Sequence, residues 1–129
     1  MGEMAAENLP EVCSNLPVPY VQVPDGAAAV GQLAAALHGF PARELVMIGV
    51  TGTDGKTTTC NLIHGVLRAA GIPAGLITTV NAVIGDELMD TGFHVTTPDA
   101  AAVQSLLERM VAAGMTHCVL EATSHGLAQ

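Results

Sequence analysis

The residues with the clearest chemical potential lie in one run, VTGTDGKTTT, Val50 to Thr59. It gathers two glycines, one lysine and a row of hydroxyls, a set suited to holding a phosphate chain. Gly52 and Gly55 let the backbone turn tightly and approach a ligand without Cβ clashes. The N–H groups of Thr53, Asp54, Gly55 and the first helical turn would then face phosphate oxygens, aided by the helix dipole. Lys56 would contact the β- and γ-phosphates, Thr58 would extend the same turn, and Thr57 would place its hydroxyl on Mg²⁺. The strict pattern G-x-x-x-x-G-K-[ST] fails at one position, where Val50 replaces the first glycine. Taken alone, the run is a glycine-rich turn with one exposed lysine. Its context argues for more: it follows an apolar run and opens a helix, at the strand end where open α/β sheets bind ligands.

Three further groups carry chemistry. Glu121 closes the apolar run Thr116–Leu120. It would stand at the same sheet edge as the glycine turn, where a second metal-holding carboxylate belongs; alone, it is also a solvated strand end. Thr96, Thr97 and Pro98 read by themselves as a helix start, with Thr97 as N-cap and Pro98 at N1. Cys60 and His64, four apart on one predicted helix, could share a metal, but no partner pair accompanies them and packing is the plainer reading.

The elements that must position these groups follow from hydropathy patterning. Val18–Val23 reads as a short edge strand interrupted by Pro19, since proline is tolerated at sheet edges. Asp25 caps an Ala/Leu-rich helix to about Leu37, ended by Gly39 and Pro41. Leu45–Val50 is a continuous apolar run, the pattern of a strand buried on both faces. A helix from about Lys56 to Ala70 stops at Gly71 and Pro73, and Ala74–Val80 forms a second buried strand. Ala82–Ile84 and Leu88–Asp90 flank Gly85, Asp86 and Glu87 as a hairpin. A helix to about Ala113 ends at Gly114, and Thr116–Leu120 is a further strand. This alternation predicts an α/β fold, a mostly parallel sheet with flanking helices of the P-loop NTPase type.

Composition narrows the class. The 129 residues are about one domain's worth. Half are apolar but only Tyr20, Phe40 and Phe93 are aromatic, so aliphatic side chains must fill the core. The net charge of −8, with four basic residues (Arg43, Lys56, Arg68 and Arg109), disfavours a nucleic-acid partner, because no basic patch can form. The longest uncharged stretches, Gly26–Ala42 and Ala69–Gly85, are broken by Gly, Pro, His, Gln or Thr, so a membrane span is not expected. Cys13, Cys60 and Cys118 form no C-x-x-C pair, and the start lacks the basic and apolar regions of a secretory signal. A cytoplasmic protein with reduced thiols is expected.

The spelling V-T-G-T-x-G-K-T-T-T resembles the ATP loop of the Mur ligases and their relatives, the folylpolyglutamate and cyanophycin synthetases. That family usually has Asn at the place of Asp54, so this chain adds a negative charge beside the phosphates. HVTTPDA, His94 to Ala100, and EATSHGL, Glu121 to Leu127, resemble two segments of the branch that adds the third peptide residue to UDP-N-acetylmuramoyl-L-alanyl-D-glutamate. Thr123 replaces a serine of the second segment, while Ser124 and His125 match it. The resemblance covers roughly Val18 to Gln129. It implies ATP and Mg²⁺ as cofactors, with Gly52, Thr53, Asp54, Gly55, Lys56, Thr57 and Thr58 on ATP. It implies Thr57 and Glu121 on Mg²⁺, Lys56 and Glu121 as catalytic residues, and Thr96, Thr97 and Ser124 on the muropeptide. The implied partners are UDP-N-acetylmuramoyl-dipeptide and an amino acid. Residues 1–44 are then expected to be the tail of a UDP-sugar-binding domain with its linker, and 45–129 the first part of the central ATP-binding domain. On this reading the chain is a piece of a three-domain ligase and is expected to show little turnover alone. Other outcomes are a nucleotide-binding module, a relative without muropeptide activity, or an inactive piece that dimerises through an open sheet edge.

Overall fold

A computed structural model describes residues 21–90 and 99–122. Helix α1 (Gly26–Leu37) leads through a short 3₁₀ turn (Pro41–Arg43) to strand β1 (Val46–Val50) and helix α2 (Lys56–Ala69). Strands β2 (Ala74–Ile77), β3 (Asn81–Ile84) and β4 (Glu87–Asp90), helix α3 (Ala100–Ala112) and strand β5 (His117–Glu121) follow. The strands form one sheet in the order β1-β5-β2-β3-β4. β5 runs parallel to both β1 and β2, whereas β3 and β4 add antiparallel. The α/β architecture with a largely parallel centre is therefore present, and the antiparallel part is the expected hairpin around Gly85.

Helix boundaries follow local chemistry. Asp25 and Asp99 cap α1 and α3, each accepting a hydrogen bond from the backbone N–H three residues on. Each helix ends on a glycine with left-handed φ (Gly39, Gly71 and Gly114) whose N–H returns to the last turn.

Side-chain alternation sorts the sheet into two faces. On β5, Cys118 joins Leu45, Ile77, Ala82, Ile84, Leu107 and Met110 on the α3 side. Val119 joins Leu76 and Cys60 on the α2 side. Close packing of α3 depends on Gly75. A Cβ there would lie 2.4 Å from Met110 Sδ, and Met110 is fully buried. Burying side chains such as Leu107 and Met110 stabilises the fold by about 1.5–3 kcal/mol each. α1 packs against α3, and at its end His38 Nδ1 lies 2.7 Å from Glu108 Oε2.

Four sequence expectations change. Val21–Val23 carries no strand, and Val21 is exposed; residues 18–20 lie outside the described region. β1 is not buried on both faces. It stands at a sheet edge with β5 as its neighbour, and Val46 and Gly49 are exposed. An apolar run records hydrophobicity but not the pairing order that decides which strand is central. The central strands are β5 and β2, the latter buried throughout. β2 also stops at Ile77 rather than Val80. Thr78 N–H donates to the Asn81 carbonyl at 2.8 Å, and its hydroxyl accepts from Val80 and Asn81 N–H, so the chain turns there. Finally, Asp99 rather than Thr97 caps α3, which begins at Ala100; carboxylates outrank threonine as caps.

Candidate functional site at the carboxyl ends of the parallel strands

β1 and β5 end together. Val50 pairs with Glu121, and Ala122 N–H donates to the Val50 carbonyl at 2.9 Å. The glycine turn leaves β1 at this edge, and the Thr78–Asn81 turn leaves β2 beside it. Gly52 has φ of 148° and Gly55 φ of 75°, values strained for any residue bearing a Cβ. Gly55 is also the N-cap of α2, and it brings no side-chain acceptor. The contrast with α1 and α3 matters. In each of those helices an aspartate accepts from one leading N–H, whereas the first N–H groups of α2 meet no side-chain cap among the described residues.

One stripe of α2 meets the sheet. Thr57, Cys60 and His64 are spaced three and four apart, so they share a face. Thr57 Oγ1 donates to Glu121 Oε2 at 2.9 Å. Cys60 packs on Leu76 and Val119. His64 Nε2 meets the Ala74 carbonyl at 3.0 Å. Cys60 and His64 therefore pack, as their plainer reading held. Burial, followed by the nearby Glu121 charge, pushes the Cys60 thiol up to about 11. Burial, followed by Cys60, pushes Cys118 up to about 12.

Glu121 lies two residues after Val119 on β5, so alternation aims it at the same side as α2. It is 3% exposed. Its Oε2 accepts from Thr57 Oγ1, from Thr79 N–H at 3.3 Å and, at a long 3.5 Å, from Thr79 Oγ1. No basic side chain pairs with it among the described residues. A buried carboxylate without a cation is costly and unusual.

The four basic residues are deployed unevenly. Arg68 pairs with Asp86, Arg109 pairs with Glu87, and Arg43 lies over the Phe40 ring. Lys56 alone has neither carboxylate nor ring among the described residues. It caps its own loop, Nζ donating to the Thr53 carbonyl at 3.2 Å. Thr53, Asp54 and Thr58 are exposed around it. Among the described residues, the edge thus presents an ammonium without a counter-charge, helix donors without a side-chain cap and a buried carboxylate without a cation.

The structure brings Gly52, Thr53, Asp54, Gly55, Lys56, Thr57 and Thr58 to one edge with Glu121. Thr96, Thr97 and Ser124 lie outside the described residues. Sequence reasoning missed Thr79. The apolar pattern runs Thr79 into the strand Ala74–Val80, and only the turn at Thr78 places it at the same edge as the glycine turn.

Comparison with known proteins decides the family. Residues 50–129 match the family described as the Mur ligase middle domain. The chain belongs to the Mur ligase family. It is 53% identical over 112 residues to the UDP-N-acetylmuramyl-tripeptide synthetase of Deinococcus radiodurans, covering 86% of this chain and 23% of the relative. It is 40% identical over 126 residues to the UDP-N-acetylmuramoyl-L-alanyl-D-glutamate–2,6-diaminopimelate ligase of Cytophaga hutchinsonii, covering 98% and 26%. A solved structure of a ligase of that second name superposes with a TM-score of 0.64 at 26% identity, covering 78% of this chain and 21% of the other. The chain spans about a quarter of the length of these relatives. Among the described residues, no helix is long and apolar enough to cross a membrane.

Proposed function

We propose that this chain is the ATP-binding part of a cytoplasmic Mur ligase that joins an amino acid to UDP-N-acetylmuramoyl-dipeptide in peptidoglycan precursor synthesis. One observation carries the reading. Buried Glu121 and Lys56 stand at one sheet edge, neither paired with a charge among the described residues, and Thr57 links to the carboxylate. A triphosphate with a divalent cation supplies both missing charges at once.

The donor set fits Mg²⁺. Among the described residues, no three His, Cys, Asp or Glu converge. Mg²⁺ asks for less, being commonly held by one or two carboxylates with phosphates and water. Glu121 and Thr57 would hold it, and the ion would neutralise charge on the transferring phosphoryl group. The remaining work falls to the chain. The leading N–H groups of α2 and those of the glycine turn would bind phosphate oxygens. Lys56 would leave the Thr53 carbonyl for the β- and γ-phosphates, with Thr58 and Asp54 flanking them. In the proposed reaction the dipeptide carboxylate attacks the γ-phosphorus, giving an acyl phosphate and ADP. The incoming amine then forms the amide and expels phosphate. Catalysis at this edge is positioning and charge neutralisation, so Lys56 and Glu121 carry the catalytic role. Thr96, Thr97 and Ser124 are proposed to contact the muropeptide, and residues 1–44 to belong to the UDP-sugar-binding part and linker.

Calorimetric titration with a non-hydrolysable ATP analogue and Mg²⁺ tests the assignment. Lys56→Ala is expected to weaken binding about 10–100-fold, the worth of a charge-assisted phosphate contact. Equal affinity in the variant would remove Lys56 from the site.

A further inference from the structure

We infer that Thr79 is a positioning residue for the Glu121 carboxylate, pinning one oxygen so that the other faces a divalent cation. The inference rests on the nucleotide site proposed above.

The turn after β2 is held on several sides. Thr78 is fully buried, and its hydroxyl lies 2.9 Å from Asn81 Oδ1 while it accepts from the N–H groups of Val80 and Asn81. Thr79 is the next residue, so a fixed turn sets the direction of both its N–H and its hydroxyl. Both are directed at Glu121 Oε2, the N–H at 3.3 Å and the hydroxyl at a longer 3.5 Å. β2 and β5 are neighbours with Ile77 opposite Leu120, which brings Thr79 alongside the end of β5. Thr57 approaches the same oxygen from α2. Oε2 thus takes donors from two different elements, while Oε1 makes no hydrogen bond among the described residues. Two anchors on one oxygen fix the plane of a carboxylate. Partners of this kind, lying behind a metal ligand, typically tune metal affinity 10–100-fold.

The test is a Mn²⁺ titration of the 129-residue chain with the ATP analogue present, read by electron paramagnetic resonance. Nucleotide affinity without divalent metal is measured in parallel. Thr79→Val removes the hydroxyl and keeps the N–H. It is expected to weaken Mn²⁺ about tenfold, the lower end of that range, while metal-free nucleotide affinity stays unchanged. Thr79→Ser is expected to restore Mn²⁺ affinity. Circular dichroism confirms that each variant folds, and Thr79→Ala replaces valine if that variant does not. If Glu121→Gln abolishes Mn²⁺ binding while Thr79→Val and Thr79→Ala bind as the unaltered chain does, the positioning role is overturned and the site survives. If Glu121→Gln binds Mn²⁺ normally, or the unaltered chain binds neither ligand, the nucleotide site itself is overturned and this inference with it.

Discussion

Replacing Glu121 with glutamine separates the two demands placed on this carboxylate. In the metal-free chain its charge is buried at 3% exposure with no basic partner among the described residues, held by one hydrogen bond of 2.9 Å and two longer ones. An amide oxygen can take over Oε2's role as acceptor for Thr57 and Thr79. The change forfeits charge assistance, since bonds to charged groups contribute about 1.5–3 kcal/mol against about 0.5–1.5 for neutral ones. It also removes a buried ion whose desolvation costs several kcal/mol after relaxation. These terms oppose each other, so the glutamine variant is expected within about 1 kcal/mol of the unaltered chain in urea melts without divalent cations. Glu121→Ala strands the Thr57 and Thr79 donors and is expected to cost about 2–3 kcal/mol. Ligand reverses the ranking. At a hundredfold excess over Kd, Mg²⁺ and nucleotide should stabilise the unaltered chain by about 2.7 kcal/mol. For a chain of this size that is a rise in Tm of about 10 °C. The glutamine variant should gain little, because its NH₂ puts a donor where the cation would sit. Thermal melts followed by far-ultraviolet circular dichroism, with and without Mg²⁺–nucleotide, read both effects. If glutamine destabilises as much as alanine, or if the ligand-induced rise survives in the glutamine variant, the reasoning fails.

Gly75→Ala drives a Cβ to 2.4 Å from Met110 Sδ and 2.7 Å from its Cε, in a site where Met110 has no exposed surface. An overpacking cost of about 1–3 kcal/mol is expected in urea denaturation. Combining it with Met110→Ala should cost less than the sum of the two, whereas strict additivity would deny the contact. The thiols give a pH prediction. Cys60 and Cys118 are raised from 9.0 to about 11 and about 12, so at pH 8 their thiolate populations fall by factors of roughly 100 and 1000. Peptide-resolved iodoacetamide labelling should show both protected in the native chain and reactive in urea. The same shifts make the native state keep protons that the unfolded chain has lost. Their stability contribution is therefore whole below pH 9 and lost as pH climbs through about 11 to 12. Urea melts should weaken above pH 9, and Cys118→Ala should weaken less steeply; parallel curves for the two chains would contradict the burial of this thiol.

The sequence alone determined what is local. Asp25 before an alanine-rich run gave α1, glycines gave the helix stops, and Gly85 gave the hairpin, because caps and turns depend on a few adjacent φ angles and hydrogen bonds. VTGTDGKTTT was visible as a glycine-bearing turn before a helix for the same reason: the features that shape it lie within one short stretch of chain. Tertiary structure decided the rest. That β1 stands at an edge, and that β5 is inserted between it and β2, is a matter of pairing across dozens of residues, on which an apolar run is silent. Glu121 gained its meaning only when β5 carried it to Thr57, 64 positions earlier, and to Thr79, 42 positions earlier. The absence of a basic partner among the described residues, which makes this carboxylate chemically significant, belongs to three-dimensional charge placement and has no signature in the order of residues.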